Sequence, residues 1–128
     1  MILTFEINPV AKGRPRFSTK GGFPRAYTPL KTLQFEKDIH WLAKQQWKQP
    51  PLSGAVKVDI IFYLPIKNKK LWGELHTKKP DLDNLIKNLL DSLNGILYRD
   101  DAQIYEIRAR KHYTEKGRIT LEIEESQT

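Results

Sequence analysis

The segment VKVDIIFYLP, residues 56–65, places the strongest constraint on how this chain folds. Its even-numbered residues are Val56, Val58, Ile60, Phe62 and Leu64, all apolar, whereas the residues between them include Lys57, Asp59 and Tyr63. A period of two is typical of a β-strand with one face in the core and one face in contact with solvent. The segment therefore predicts a strand with one buried face, ended by Pro65.

Five further segments predict regular structure, and two long loops separate them. The predicted elements are a strand at 3–7, a helix beginning with Thr28 as N-cap and stopped by Pro50, a helix at 82–94 ended by Asn94-Gly95, and strands at 102–113 and 119–123. The turn at 115–117 predicts that the last two strands pair as a hairpin. The order βαβαββ predicts an α+β fold, a four-stranded mixed or antiparallel sheet with two helices packed on one face.

The length and composition are those of one soluble globular domain spanning residues 1–128. The chain has no cysteine, which excludes disulfides, thiolate nucleophiles and cysteine-ligated zinc. No apolar run approaches the thickness of a bilayer, and the first ten residues lack the pattern of a signal peptide. We therefore expect a cytoplasmic protein without a membrane partner.

The net charge of +7 favours a polyanion as partner over a purely solubilising role. The basic residues gather in two segments rich in Gly or Pro, at 12–25 and 67–79, which correspond to the two predicted loops. Loops of this length in a compact domain are usually functional or disordered. The candidate DNA-binding residues are Lys12, Arg14, Arg16, Lys20, Arg25, Lys69, Lys70, Lys78 and Lys79.

Carboxylates stand at both ends of the most helix-like segment, KKPDLDNLIKNLLDSLNGILYRDD. Pro80 keeps the chain extended before the helix, so Asp81 is expected just outside it, from where it can share a ligand with Asp83. If the strand after Asp100 and Asp101 lies beside the start of the helix, one of these carboxylates can join them. Converging carboxylates need a cation, and oxygen ligands suit Mg²⁺ or Mn²⁺.

Helix capping explains the same acidic residues without a metal. Aspartate is a preferred residue at helix N-termini, and Asp83 and Lys87 have the spacing of an ordinary ion pair. Asp91 continues the polar face one turn beyond Lys87, and Asp100-Asp101 can be a simple turn before a strand. Spacing alone leaves both explanations open.

Taken together, DLDNLIKNLLDSLNG followed by YRDDAQI resembles the RusA-type Holliday-junction resolvases. In that family a D-L-D-N-L-x-K helix start is followed, after a short apolar segment, by D-D-A-Q and a strand. The segment VAKGRPRF…YTP is similar to a basic loop found in some members. The resemblance covers most of the chain, although KKP stands where the best-known relative has a run rich in arginine.

The resemblance implies a catalytic site and a substrate. By position, the catalytic and metal-binding carboxylates fall on Asp81, Asp83 and Asp101, the essential lysine falls on Lys87, and Asp100 is a supporting residue. Family members are homodimers that use a divalent metal to nick two strands of a four-way DNA junction. We therefore expect a Mg²⁺-dependent, or Mn²⁺-dependent, junction-resolving endodeoxyribonuclease that acts in DNA recombination and repair.

Two other functions remain compatible with the residues. One is a metal-dependent nuclease that acts mainly on flaps or forks. The other is a basic DNA-binding module without catalysis, in which the acidic residues are caps and ion pairs. Cleavage assays on these substrates distinguish the three hypotheses.

Overall fold

The computed structural model describes residues 1–13, 16–18, 21–22 and 25–126, and of residues 16–18 and 25 it describes only the backbone. The elements, in chain order, are β1 (Ile2–Phe5), β2 (Arg16–Ser18), β3 (Arg25–Tyr27), α1 (Leu30–Gln46), β4 (Val56–Pro65), α2 (Leu82–Ser92), β5 (Ile104–Thr114) and β6 (Arg118–Glu125). One-turn 3-10 helices lie at Lys69–Leu71 and Asp101–Gln103. No helix in the described part of the chain combines the length and apolarity that a membrane span requires.

The main sheet has four strands in the order β1-β6-β4-β5. Strand β4 runs parallel to β5 and antiparallel to β6, and β6 is antiparallel to β1. The sheet is therefore mixed, one of the two arrangements that the sequence predicted. The alternation seen in the sequence is preserved along β4, in which the even-numbered residues from Val56 to Leu64 are buried.

The predicted hairpin of the last two strands is wrong, because β4 lies between β5 and β6. At its end, β4 pairs Tyr63 with Arg118 of β6 and Pro65 with Thr114 of β5. The linker of residues 115–117 passes across this end. Strands separated by one neighbour lie about 10 Å apart, a distance that three residues can span at about 3.3 Å each. A short turn thus shows that the two strands are close, but not that they are hydrogen-bonded to each other.

Both helices pack on one face of the main sheet, as predicted. Helix α1 buries Phe35, Ile39 and Ala43, which follow one another every four residues. Helix α2 has the stronger apolar stripe, and it buries Leu85 and Leu89 against the same core. Strands β4, β6 and β1 supply the sheet side of this core, so helix and sheet residues form one continuous cluster.

Several predicted boundaries shift. Helix α1 starts at Leu30 with Pro29 as N-cap, not Thr28, because Pro29 keeps an extended backbone with ψ at 142°. The loop predicted from residue 8 to residue 28 contains the antiparallel pair of β2 and β3. Helix α2 ends at Ser92, two residues before the predicted end.

Candidate functional site

Asp81 and Asp83 lie at the N-terminus of α2, and both are exposed. Asp81 is the N-cap residue with an extended backbone, which confirms that it stands just outside the helix. Its carbonyl oxygen accepts the hydrogen bond from the Leu85 N–H at 3.2 Å. Its carboxylate makes no capping hydrogen bond. Capping therefore does not account for the Asp81 side chain, which remains available to a ligand.

Three charged residues follow one another at four-residue spacing along the polar face of α2: Asp83, Lys87 and Asp91. The Lys87 ammonium lies 3.9 Å from Asp91 Oδ2, and within the described residues it forms this ion pair rather than the expected one with Asp83. The Lys12 ammonium reaches the same oxygen at 3.4 Å. Asp91 thus holds two lysines that come from different parts of the chain.

The carboxyl group of Asp101 faces this polar face of α2. Burial raises the pKa of Asp101, a hydrogen bond and the charge of Asp91 raise it further, and the charge of Asp100 adds to them, whereas Lys87 opposes the shift. The repulsion between the carboxyl groups of Asp91 and Asp101 is unfavourable for the stability of the fold, even in a chain with net charge +7. Such costs concentrate at functional sites.

The turn that carries Asp101 is built by its two neighbours. The Asp100 carboxylate accepts a hydrogen bond from the Ala102 N–H at 3.1 Å, so capping does explain this acid. Gln103 Oε1 accepts from the backbone N–H groups of Arg99 and Asp100, at 2.8 and 2.9 Å. Gln103 Nε2 donates to the carbonyls of Leu52 and Gly54, at 2.8 and 2.9 Å. Gln103 therefore fixes the turn to the linker between α1 and β4.

We expect Gln103→Leu to lower the free energy of unfolding by about 2 kcal/mol, because four hydrogen bonds are lost and a partly buried turn is left without them. The matched control is Gln34→Leu on the exposed surface of α1, where the side chain has one hydrogen bond among the described residues, to Asp38. This control should change stability by less than about 0.5 kcal/mol. Urea unfolding of both variants measures the difference, and equal losses would contradict the role assigned to Gln103.

The predicted basic residues divide into those at the site and those away from it. Lys12 is docked on α2, because its backbone N–H donates to the Asn84 carbonyl at 3.1 Å, and Asn88 Nδ2 donates to the Val10 carbonyl at 2.8 Å. Arg16 and Arg25 begin β2 and β3, and Arg14 and Lys20 lie outside the described residues. The lysines of the second segment, Lys69, Lys70, Lys78 and Lys79, are exposed.

Ion pairs join Lys12 and Lys87 to Asp91, and Asp91 in turn raises the pKa of Asp101, whereas Asp81 and Asp83 lie at the start of the helix. In the described part of the chain, no group of three or more carboxylate or imidazole side chains is arranged to hold a metal ion. Asp91 is the residue that the sequence prediction did not include in the site. Its position four residues after Lys87 was visible in the sequence, but its contact with Asp101 was not.

The family model described as endodeoxyribonuclease RusA matches residues 6–124. The chain belongs to this family. The match confirms the resemblance of the DLDN and DDAQ segments and extends it to nearly the whole domain. It is consistent with the observed fold of two helices on a four-stranded mixed sheet.

Two relatives carry the name crossover junction endodeoxyribonuclease RusA. That of Lactococcus phage r1t is 45% identical over 71 residues, which cover 55% of this chain and 54% of the phage protein. That of Aquifex aeolicus is 28% identical over 112 residues, covering 86% of this chain and 78% of the relative. The uncharacterized protein YqaN of Bacillus subtilis is 34% identical over 128 residues, covering 91% and 90%. The match to the Bacillus relative thus covers about nine-tenths of both chains, whereas the match to the phage relative covers about half of each.

Proposed function

We propose that this RusA-family endodeoxyribonuclease resolves four-way DNA junctions by paired, symmetric nicks. The observation that carries the proposal is the contact of the Lys12 and Lys87 ammonium groups with Asp91, the carboxylate that also raises the pKa of Asp101. This contact brings acidic residues and lysines together in a strongly basic chain. A protein that only binds DNA gains nothing from carboxylates turned towards phosphate. The names of the phage and Aquifex relatives support the same activity.

The proposed metal ligands are Asp81, Asp83 and Asp101, and the proposed ion is Mg²⁺, with Mn²⁺ as its substitute. The donor chemistry fits, since these are carboxylate oxygens, the Asp81 carboxylate is not used for capping and Asp83 is exposed. Among the described residues the three carboxylates are not grouped, so a bound ion would have to bring Asp101 towards the start of α2. When bound, such an ion would supply Lewis acidity and would lower the pKa of a water molecule at the site. Asp100, which caps the turn, supports Asp101 from the backbone side.

The chain's own lysines act on the phosphate. Lys87 lies on the polar face of α2 and is exposed, so its ammonium can donate to a non-bridging phosphate oxygen and stabilise the charge that develops there. Asp91 restrains Lys87 and Lys12 through one carboxylate oxygen. In this proposal Asp91 orients the lysines and keeps Asp101 beside them.

The proposed DNA contacts come from both basic segments. In the first segment Lys12 lies beside the site, and Arg14, Arg16, Lys20 and Arg25 are proposed as further contacts to the same DNA on the basis of their charge. Of the exposed lysines of the second segment, Lys78 and Lys79 stand just before Pro80 and Asp81. They can therefore bind the phosphates that flank the cleaved bond.

We further propose that the active form is a homodimer and that it acts in the cytoplasm in DNA recombination and repair. A four-way junction has two-fold symmetry, and resolution requires two matched cuts. The chain carries one DLDN–DDAQ constellation, so two chains related by a two-fold axis supply the two sites.

The decisive experiment is cleavage of a labelled synthetic four-way junction, with linear duplex, flap and fork DNA as controls. Reactions contain Mg²⁺, Mn²⁺ or EDTA. We expect paired nicks at symmetric positions in either metal, no cleavage in EDTA and no cleavage of linear duplex. Preferred cutting of the flap or fork would replace the junction as substrate, and tight junction binding without any cut would indicate a binding module.

A further inference from the structure

Lys111 lies on β5 with its side chain on the face of the sheet that the helices cover. Its register partner on β4 is the buried Phe62, and Lys111 itself is half-buried. Its ammonium donates hydrogen bonds to the backbone carbonyls of Lys78 at 2.8 Å and Pro80 at 2.7 Å. One side chain therefore connects a strand of the main sheet to the segment that leads into α2.

The second of these carbonyls belongs to the peptide unit that connects Pro80 to Asp81. A peptide unit is planar, so the direction of the Pro80 carbonyl fixes the direction of the Asp81 N–H and limits where the Asp81 side chain can point. Hydrogen bonds from an ammonium group to a carbonyl are stronger than those between neutral groups. The Lys111 ammonium thus restrains Asp81 through the backbone rather than by touching its carboxylate.

The same part of β5 holds the preceding loop by its backbone. The His76 N–H donates to the Lys111 carbonyl at 3.0 Å, and the Tyr113 N–H donates to the Glu74 carbonyl at 2.9 Å. The ring of His76 packs on that of Tyr113, with 4.5 Å between the ring centroids. Residues 74–76 therefore run beside β5, and the Lys111 side chain extends this attachment to Pro80.

No carboxylate among the described residues lies within ion-pair distance, 4.0 Å, of the Lys111 ammonium. The charge of a half-buried lysine is ordinarily balanced by an acidic partner. Here the ammonium is directed instead to two carbonyls just before a proposed metal ligand. An arrangement of this kind is expected for a group that supports a functional residue from behind.

We propose that Lys111 is a positioning residue that fixes Asp81 at the start of α2 for binding of the metal and the scissile phosphate. The catalytic part of this inference, the effect of Lys111 on metal binding and cleavage, rests on the proposed function. The clamp on the backbone of residues 78–81 is independent of activity, and each part has its own measurement.

The test compares Lys111→Met, which keeps the aliphatic stem and removes the donors, with Lys116→Met. The control removes the same charge at an exposed turn five residues away. We expect Lys111→Met to lower kcat on the junction about 100-fold, since small misplacements of catalytic groups have effects of this size. The junction Kd should change less than twofold, and the Mg²⁺ concentration for half-maximal rate should rise. Lys116→Met should retain wild-type values.

Amide hydrogen exchange measured by NMR reports the clamp directly. We expect the amides of Asp81, Leu82 and Asp83 to exchange faster in Lys111→Met and to be unchanged in Lys116→Met. Wild-type kcat in Lys111→Met overturns the positioning role, and unchanged exchange overturns the clamp. If the wild-type protein cuts no junction, the proposed function fails, and the exchange data still decide on the clamp.

A second variant covers the case in which Lys111→Met does not fold. Lys111→Arg retains the charge, but its planar donor group cannot reproduce two bonds made by one nitrogen atom. We expect reduced kcat at unchanged junction Kd and unchanged thermal stability. Wild-type kcat in this variant overturns the proposal.

Discussion

Asp101→Asn is expected to abolish cleavage of a four-way junction while junction binding is retained. The substitution preserves the size of the side chain and removes one negative charge from the proposed metal ligands. A loss of about 4 kcal/mol of transition-state stabilisation corresponds to a rate reduction of about a thousand-fold. Single-turnover cleavage in Mg²⁺ measures the rate, and a gel-shift titration in EDTA measures the binding.

The same variant is expected to be at least as stable as the wild-type protein. Asp101 faces Asp91 and Asp100, and removal of its charge relieves this repulsion. Thermal unfolding should therefore give an unchanged or higher Tm, which separates lost catalysis from lost folding. The matched control is Asp38→Asn on α1, a half-buried aspartate away from the proposed site whose carboxylate accepts a hydrogen bond from Gln34; this variant should keep both activity and Tm. A normal cutting rate in Asp101→Asn would remove Asp101 from the metal site.

Lys87→Met is expected to reduce cleavage about 100-fold with little change in junction affinity. The proposed role of Lys87 is to stabilise charge on the phosphate in the transition state, an effect of this magnitude in other enzymes. Affinity should change little because Lys87 is one of many basic residues that can contact DNA. The measurement is kcat under saturating junction, together with the Kd in EDTA.

The competing explanation of Lys87 is a surface ion pair with Asp91. An exposed pair at 3.9 Å contributes less than about 1 kcal/mol to stability, so on this explanation Lys87→Met would cut at the wild-type rate. Lys37→Met on α1 is the control for removal of an exposed helical lysine. Lys87→Arg refines the result, because partial activity would show that a cation at this place is sufficient.

The amino-acid sequence determined those features that depend on neighbours along the chain. The alternation from Val56 to Leu64 predicted β4, and the leucine stripe of α2 predicted its buried face, since both follow from the geometry of one element. Pro80 predicted that Asp81 stands just outside the helix. The family was recognisable because the DLDN and DDAQ segments are themselves local patterns.

The tertiary structure alone decided which distant residues meet. The insertion of β4 between β5 and β6 depends on the pairing of both its edges, to which the short turn at 115–117 gives no clue. The contact of Asp91 with Asp101, the anchoring of Gln103 to the linker before β4 and the bonds from Lys111 to the Lys78–Pro80 segment all join separate elements. Periodicity describes the faces of an element but not the partner of a face. Which face packs on which is decided when all elements bury their apolar faces in one core. The same packing sets the surroundings of the proposed catalytic residues.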